Sequence, residues 1–243
     1  MLKTLRTVHL QKNQIIKDIR GREIKPKFRG IPVIDEKKLT NLKECQKACP
    51  TGAITDDKKI DLGKCIFCGE CARLSNGAIT FTRNHKYSAV KREDLVVNGE
   101  INPIVAKEEI VKVFGQSLKL RQVSAGGCNS CEMELNACSN ANFDIGRYGI
   151  DFVASPRHAD GVVITGPVTK NMAKALEDTF LSTPEPRIVI AVGACAISGG
   201  VFQDSDEIDR TFFERHPVDL YIPGCPAHPL TIINGILDYL GCK

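Results

Sequence analysis

The second half of the sequence alternates short apolar runs with helical patterns. Four runs, rich in β-branched and other apolar residues, each end at or just after a Gly or Ser: 118–124, 161–166, 187–193 and 219–224. The segments 167–181 and 229–240 repeat apolar residues at helical spacing, and the first aligns Val168, Met172, Leu176 and Phe180 on one face. Strands that alternate with helices predict a mainly parallel sheet covered on both sides, which places this part of the chain in the α/β class.

Four cysteines follow the strands of this predicted sheet. Cys128 and Cys131 come after the first run, Cys195 after IVIAVG and Cys225 after LYIPG. Ligands of open α/β sheets bind beyond the carboxyl ends of the strands. We therefore expect these four residues, the C-terminal cysteine set, to meet at one edge of the sheet. Glycines flank each position, and their backbone N–H groups suit the negative charge of an iron–sulfur cluster.

Other chemistries fit the C-terminal cysteine set less well. A four-cysteine zinc site usually draws on two close pairs, whereas only Cys128 and Cys131 are close here. Thiol–disulfide exchange of the thioredoxin type would use one C-x-x-C pair and leave Cys195 and Cys225 unexplained. Buried structural thiols remain the alternative for any single cysteine. An iron–sulfur cluster is the interpretation that uses all four.

A second set of cysteines occurs upstream. The run CIFCGEC supplies Cys65, Cys68 and Cys71, which are the first three ligands of a ferredoxin pattern. In two-cluster ferredoxins the fourth cysteine of each run binds the other cluster. By this rule the fourth ligand comes from the earlier run CQKACPTGAI, and it is Cys49. These four residues form the N-terminal cysteine set, for which zinc is again the rival ligand.

The companion ferredoxin site is incomplete. Its four ligand positions would be residues 39, 42, 45 and 75, and these are Leu39, Leu42, Cys45 and Ser75. All the losses fall on one site, as expected if one cluster was given up and the other retained. We therefore predict one intact ferredoxin-type cluster, with Cys45 left without a site.

The composition excludes several classes of protein. Eleven cysteines in a chain of 243 residues without a signal-peptide pattern argue for metal or redox chemistry rather than a disulfide framework. No apolar run reaches the roughly 20 residues that cross a bilayer, so we expect a cytoplasmic protein, soluble or peripheral to a membrane complex. The net charge of +4 is small, and its basic excess lies in the first 30 residues without stacking aromatics. Nucleic acid is accordingly not an expected partner, whereas a docking arm or a solvated extension remains open.

Several quoted segments resemble one family. The pieces GGCNSCEMEL, YGIDFVASPRHADGVVITGPVTKNM, VIAVGACAISGGVF and VDLYIPGCPAHP occur in order over about residues 118–240. They are similar to the small subunit of group 4 [NiFe] hydrogenases, including that of formate hydrogenlyase, and to the homologous 20 kDa subunit of complex I. The separated pair Cys128 and Cys131 resembles the hydrogenase branch, because the complex I subunit has adjacent cysteines there.

The resemblance carries expectations about fold, cofactors and partners. It implies a flavodoxin-like domain in which the C-terminal cysteine set holds a proximal [4Fe-4S] cluster beside the large subunit of a [NiFe] hydrogenase. With the ferredoxin-type set this makes two [4Fe-4S] clusters and an electron-transfer role, with no catalytic residue in this chain. Nickel belongs to the large subunit in this family, so none is expected here. Further partners would be an iron–sulfur or flavin subunit and a membrane-embedded one.

Two alternatives to the hydrogenase subunit stay open. A complex I-like oxidoreductase without nickel in its partner is the first, and a zinc-stabilised scaffold is an alternative of another class.

These observations divide the chain into four segments. We predict a basic extension (1–38), a small ferredoxin-like α+β domain (39–83), a connector (84–116) and the flavodoxin-like α/β domain (117–243). The connector includes VVNGEI (96–101), which has the signature of a hairpin, and a predicted helix over 103–118.

A few other residues near the cysteines draw attention. Glu132 and Glu134 fit either a proton relay or ordinary carboxylates in the first turn of a helix. Arg157 and His158 fit either a contact with the cluster or the partner, or the capping of a loop. We expect His228 to be a surface histidine.

Overall fold

The first part of the chain forms two small antiparallel pairs of strands with short helices beside them. In this computed structural model, the structure describes residues 2–11, 14–115 and 117–242. The elements of the first hundred residues are α1 (Leu2–Gln11), β1 (Pro32–Ile34), α2 (Leu42–Ala48), β2 (Ile60–Asp61), α3 (Glu70–Leu74), β3 (Ile79–Phe81) and β4 (Val96–Val97). β1 pairs with β3, and β2 pairs with β4. The strand β1 lies within the segment that we assigned to the extension.

The hairpin prediction for residues 96–101 is wrong. β4 pairs with β2, and Asn98 turns its side chain toward β1, where it mimics a paired strand. Asn98 Oδ1 accepts a hydrogen bond from Ile34 N at 2.7 Å, and Asn98 Nδ2 donates to Ile34 O at 3.2 Å. Gly99 N donates to Pro32 O at 2.9 Å. The Asn-Gly pair therefore closes a contact between distant segments and not a local turn.

Five parallel strands form the larger sheet. They are β5 (Leu118–Ser124), β6 (Ile150–Phe152), β7 (Gly161–Thr165), β8 (Ile188–Val192) and β9 (Leu220–Ile222). Their order is β6-β5-β7-β8-β9, so that numbering them one to five along the chain gives the flavodoxin-like order 2-1-3-4-5. Every residue of β7 and β8 is buried, as expected for central parallel strands with helices on both faces. The α/β prediction is confirmed.

Helices accompany the larger sheet. They are α4 (Glu108–Phe114), α5 (Ser130–Cys138), α6 (Lys170–Leu181), α7 (Ala194–Ser198), α8 (Thr211–Arg215) and α9 (Pro229–Tyr239). Of these, α4, α6 and α9 fall within the segments where the sequence spacing predicts helices. In α6 the buried side chains are Leu176 and Phe180, two of the four residues that we aligned on one face. The helix α4 is shorter than the predicted 103–118 and begins five residues after Pro103. Among the described residues no helix is both long enough and apolar enough to cross a bilayer.

Backbone hydrogen bonds join the N-terminal part to the sheet. Ala89 and Tyr221 exchange two backbone hydrogen bonds, of 3.0 and 2.8 Å, along the outer side of β9. On the other side of α9, Arg20 donates to Asp238 Oδ1 at 2.6 Å, and the neighbouring Ile19 is fully buried. Part of the predicted extension therefore packs on its own chain.

Candidate metal-ligating cysteine sites

The sheet brings the C-terminal cysteine set to one edge. Cys131 lies in the first turn of α5 after β5, Cys195 lies in α7 after β8, and Cys225 follows β9. Burial raises the pKa values of Cys131 and Cys195, and neighbouring thiols add to it: Cys225 and Cys195 raise the pKa of Cys131, and Cys225 and Cys128 raise that of Cys195. The convergence follows from the parallel pairing, because β5, β8 and β9 all end at the same edge of the sheet.

Burial makes most of these thiols difficult to ionise. It raises the pKa of Cys131 to about 12 and that of Cys195 to about 11, and it also raises the pKa of Cys225. Cys128 differs, since hydrogen bonding with Ser130 lowers its pKa. Thiols with raised pKa values become thiolates when a cation compensates their charge, and metal binding then releases the protons.

Two glycines leave the space that these sulfurs occupy. Gly193 has a φ of 88°, and a Cβ there would lie 2.6 Å from Cys131 Sγ. Gly200 has a φ of 57°, and a Cβ there would lie 3.0 Å from Cys195 Sγ. A side chain at Gly193 would collide with the Cys131 sulfur, one at Gly200 would crowd the Cys195 sulfur, and either would strain a backbone with positive φ, so both positions favour glycine.

Glu132 is a buried carboxylate behind this set. It lies in the first turn of α5, as expected, yet it is only 5% exposed. Glu132 Oε1 accepts hydrogen bonds from Ser124 Oγ and Thr165 Oγ1, both at 2.7 Å. Ser124 ends β5 and Thr165 ends β7, so the carboxylate joins the two strands at the switch point. The two hydroxyl partners are not apparent from the sequence, because they come together only in the parallel register.

The N-terminal cysteine set lines a small cavity. Cys49 follows α2, Cys65 and Cys68 lie in the loop before α3, and Cys71 lies in α3. Burial raises the pKa of Cys65 to about 12 and that of Cys71 to about 11, and the thiols of the set add to both effects. Backbone N–H groups point at two of the sulfurs: Ala53 N lies 3.3 Å from Cys49 Sγ, and Phe67 N lies 3.3 Å from Cys65 Sγ.

The incomplete companion site is filled by core side chains. Leu39 and Cys45 are buried, and Leu42 packs against the same cluster. Ser75 Oγ donates to Ala72 O at 3.2 Å and accepts from Ile79 N at 2.9 Å. The serine thus holds the end of α3 against β3, and the space around Cys45 belongs to the core.

The two cysteine sets lie next to each other. The charge of Cys68 reaches Cys225 and raises the pKa of that thiol. Both residues are exposed, unlike the buried Cys65. Nothing in the sequence indicates which member of each set faces the other, because the relation depends on how the first part of the chain packs on the sheet.

The remaining candidates lie away from the two cysteine sets or in the core. Arg157 and His158 are exposed in a 3-10 helix that precedes β7, at the edge of the sheet opposite the C-terminal cysteine set. His228 is half-buried and not on the surface as expected. Its Nδ1 accepts a hydrogen bond from Leu230 N at 3.1 Å and caps α9, and its ring packs against those of Phe28 and Phe143. Cys138 is fully buried.

Backbone N–H groups at the N-terminal cysteine set suit an iron–sulfur cluster. Those of Ala53 and Phe67 are directed at Cys49 and Cys65, where they match the negative charge on cluster and ligand sulfurs. A zinc site made of four cysteines is the alternative. In the described parts of the chain, no three His, Cys, Asp or Glu side chains lie close enough to bind one metal ion.

Comparison with known proteins places the chain in a family. Residues 128–239 match the family described as NADH ubiquinone oxidoreductase, 20 kDa subunit. An uncharacterised protein of Methanocaldococcus jannaschii is 45% identical over 125 residues, which cover 50% of this chain and 82% of that protein. A protein of Pyrococcus furiosus named probable membrane-bound hydrogenase subunit mbhJ is 38% identical over 53% of this chain and 77% of its own length.

A third relative has a more specific name. Formate hydrogenlyase subunit 7 of Escherichia coli is 41% identical over 56% of this chain and 53% of its own length. The names of these relatives agree with the resemblance drawn from the motifs, and the match includes all four members of the C-terminal cysteine set. The chain therefore belongs to the family of the 20 kDa subunit of NADH ubiquinone oxidoreductase, a family of subunits of oxidoreductase complexes that also includes hydrogenase subunits.

Proposed function

We propose that this chain is the electron-transfer small subunit of a [NiFe] hydrogenase complex. In this proposal Cys49, Cys65, Cys68 and Cys71 hold one [4Fe-4S] cluster, and Cys128, Cys131, Cys195 and Cys225 hold a second, proximal one. When bound, such clusters accept and release single electrons. Hydrogen oxidation or proton reduction would occur at the nickel–iron centre of a large subunit, with no catalytic residue in this chain.

The closeness of the two cysteine sets is the observation that carries the proposal. Gly63 lies two residues before Cys65, and a Cβ there would lie 2.8 Å from Cγ2 of Ile197, two residues after Cys195. In agreement with this contact, the charge of Cys68 adds to burial in raising the pKa of Cys225. A relay needs its two centres close together, whereas two independent structural metal sites would not. The packing of the first part of the chain on β9, through Ala89 and Tyr221, holds this relation.

The chain's own groups prepare both sites for charge. The backbone N–H groups of Ala53 and Phe67 donate to sulfurs of the N-terminal set. Gly193 and Gly200 leave room for the sulfurs of the other set. Hydrogen bonds to sulfur and the exclusion of solvent are the levers by which a protein adjusts the potential of a cluster.

The N-terminal unit completes the proposal as a ferredoxin-like domain. We assign it to residues 39–83, with β1 of the preceding segment contributing a strand through its pairing with β3. The pairs of short antiparallel strands and the helices α2 and α3 support this assignment. The site lost from the domain is the one now filled by Leu39 and Cys45.

Exposed apolar side chains beside the C-terminal set suit the large subunit. Met133 follows Cys131 in α5 and is 65% exposed, while Val201 and Phe202 follow α7 and are 53% and 42% exposed. Large apolar side chains clustered at an exposed site commonly mark a protein interface. The further iron–sulfur or flavin subunit would then approach the N-terminal set, and the complex would be soluble or lie against the cytoplasmic face of a membrane-embedded partner.

The principal alternative concerns the partner and not this chain. A complex I-like oxidoreductase would use the same two clusters but would deliver electrons to a quinone or another acceptor, without nickel in the large subunit. A scaffold that is stabilised by zinc is a function of another class, without electron transfer, and such a chain would contain zinc in place of iron.

Anoxic purification of the chain with its native partners tests all three functions. The proposal predicts about eight irons per chain and essentially no zinc, with nickel in the co-purifying large subunit. Iron without nickel in the complex would select the complex I-like alternative. Stoichiometric zinc in place of iron would overturn the electron-transfer role.

A pair of matched variants tests the ligands of the N-terminal set. Cys49→Ala is expected to remove four irons and one spectroscopic signal. Cys45→Ala, four residues earlier in the chain, is expected to leave both unchanged, because Cys45 is a buried core residue of the filled companion site and not one of the four proposed ligands. A complete iron content in Cys49→Ala would show that the ligand assignment is wrong.

A further inference from the structure

Arg210 is bound to the backbone that carries Cys195. Its Nη2 donates to Ala196 O at 2.8 Å and to Ile197 O at 3.0 Å. Its Nη1 lies 3.3 Å from both Cys195 O and Pro167 O. The guanidinium also lies 4.3 Å from the centre of the Phe213 ring. The half-buried Arg210 side chain thus directs nearly all its hydrogen-bond donors to α7 and to the loop after β7.

These carbonyls need a donor from outside the helix. α7 has only five residues, so its carbonyl groups find few partners within it, and Gly199 ends it in the left-handed conformation. A cation is the favoured partner at the carboxyl end of a helix. Arg210 therefore fixes the orientation of the helix that presents Cys195.

The positive charge of Arg210 is retained in this position. An arginine guanidinium stays protonated at neutral pH. Among the described residues, the hydrogen bonds of Arg210 go to backbone carbonyl groups and none goes to a carboxylate. The chain thus keeps a cation without a carboxylate partner beside Cys195.

Arg92 lies between the two cysteine sets. Its guanidinium donates to both oxygens of Asp61, at 2.8 and 2.7 Å. The backbone carbonyl of Asp61 accepts from Cys65 N at 2.9 Å. A Cβ on Gly63 would lie 2.8 Å from both Arg92 Cζ and Ile197 Cγ2, so this loop contacts α7 directly. Unlike Arg210, Arg92 is neutralised by its carboxylate partner.

We infer that Arg210 is a positioning residue for Cys195 and that its charge makes the centre held by the C-terminal cysteine set easier to reduce. The inference rests on the proposed function. Net charge near a cluster is one of the levers on its potential, and a cation favours the reduced, more negative state. The arrangement thus gives an electron arriving from the N-terminal set a favourable destination.

Three variants of the full chain, purified anoxically in its complex, test the inference by redox titration followed by electron paramagnetic resonance. Arg210→Gln is expected to shift the midpoint potential of the C-terminal centre to more negative values. Arg210→Lys keeps the charge but loses the guanidinium that donates to several carbonyl groups at once. We therefore expect nearly the wild-type midpoint potential but a lower fraction of chains that hold the C-terminal centre. Arg215→Gln, an exposed arginine in α8, removes the same charge and is expected to change neither quantity.

The outcomes separate the inference from the proposed function. If the wild-type complex shows no paramagnetic signal that disappears in Cys195→Ser, both the inference and the proposed function are overturned. If that signal is present but keeps the same midpoint potential in Arg210→Gln, the inference alone is overturned. Equal shifts of the potential in Arg210→Gln and Arg210→Lys would also overturn the inference alone. If the Arg210 variants hold no C-terminal centre, Arg92→Gln decides, because it leaves the α7 carbonyls bonded to Arg210 but removes the cation that neutralises Asp61, so that the net charge between the two sets becomes more negative. It should shift the same potential negative, and an unchanged potential would refute the role of charge.

Discussion

The carboxylate of Glu132 accepts a hydrogen bond from the hydroxyl of Thr165, with 2.7 Å between Glu132 Oε1 and Thr165 Oγ1. The same oxygen accepts from Ser124 Oγ, so one side chain of α5 joins the ends of β5 and β7. This bond holds the start of α5, and with it Cys131, on the sheet.

Loss of the Glu132 acceptor should destabilise the chain. Glu132→Ala removes the acceptor that Ser124 Oγ and Thr165 Oγ1 share and leaves Thr165 only the longer contact with Val123 O at 3.3 Å, so we expect the free energy of unfolding to fall by about 1–3 kcal/mol. Glu132→Gln should lose less, because its amide oxygen can still accept both bonds. Urea unfolding under anoxic conditions, followed by far-ultraviolet circular dichroism, measures the difference. Equal losses in the two variants would contradict the role assigned to the acceptor.

The filled companion site makes Leu39 a core residue. Leu39 is 7% exposed, so Leu39→Ala should lower the free energy of unfolding by about 2–5 kcal/mol through lost burial and a new cavity. Leu5→Ala makes the same chemical change at a side chain that is 59% exposed, and its effect should stay within about 0.5 kcal/mol. Urea unfolding of both variants tests the comparison, and similar midpoints would mean that Leu39 does not support the core.

The two-point contact of Asn98 with Ile34 gives a third prediction. Asn98→Ala removes the hydrogen-bond partners of Ile34 N and Ile34 O and should lower the free energy of unfolding by about 1–3 kcal/mol. Asn98→Asp should lower it at least as much, since a carboxylate cannot donate to Ile34 O. Thermal unfolding checks both, with Asn102→Ala as the control, because Asn102 makes an exposed hydrogen bond. A harmless Asn98→Asp would show that the donor half of the contact contributes little.

Two histidines should make the stability fall in mild acid. Burial lowers the pKa of His85 and that of His228 to about 4, from an ordinary value of 6.5. Between these values the unfolded chain binds more protons than the folded one, so stability is full above about pH 6.5 and is lost as the pH falls toward 4.

His228→Asn tests this pH dependence. Asparagine keeps the cap on α9 without a titratable group, so the fall in Tm from pH 7 to pH 5 should become smaller than in the wild type. His9→Asn, in the exposed helix α1, is the control and should follow the wild-type curve. An unchanged pH profile in His228→Asn would contradict the assigned titration.

The predicted sheet agrees with the structure in four of its five strands. β5, β7, β8 and β9 fall within two residues of the predicted apolar runs. The physical reason is clearest for β7 and β8, whose residues are all buried, because central parallel strands need continuous apolar side chains. β6 was not predicted: it has only three residues, one of them the exposed Asp151, and it lies at the edge. Since the strand order follows from chirality and burial, the meeting of the C-terminal cysteine set could be anticipated.

Contacts between distant segments could not be anticipated. The sequence around Asn98 is typical of a hairpin, yet the Asn98 side chain is hydrogen-bonded to Ile34, which lies 64 positions away. Arg210 has no motif around it, and its four carbonyl partners come from two separate segments. Side-chain roles of this kind depend on packing, which residue spacing does not encode.

The backbone pairing of Ala89 with Tyr221 has a consequence for assembly. β9 is the last strand of the sheet, and unpaired edge strands invite the addition of a strand from another chain. Residue 89 occupies part of that edge, so β-augmentation by a partner is blocked there, and the opposite edge offers only the three residues of β6. We therefore expect that a subunit which binds the five-stranded sheet domain would recognise side-chain surfaces and loops, and that it could dock and separate without competing for the hydrogen bonds of this sheet.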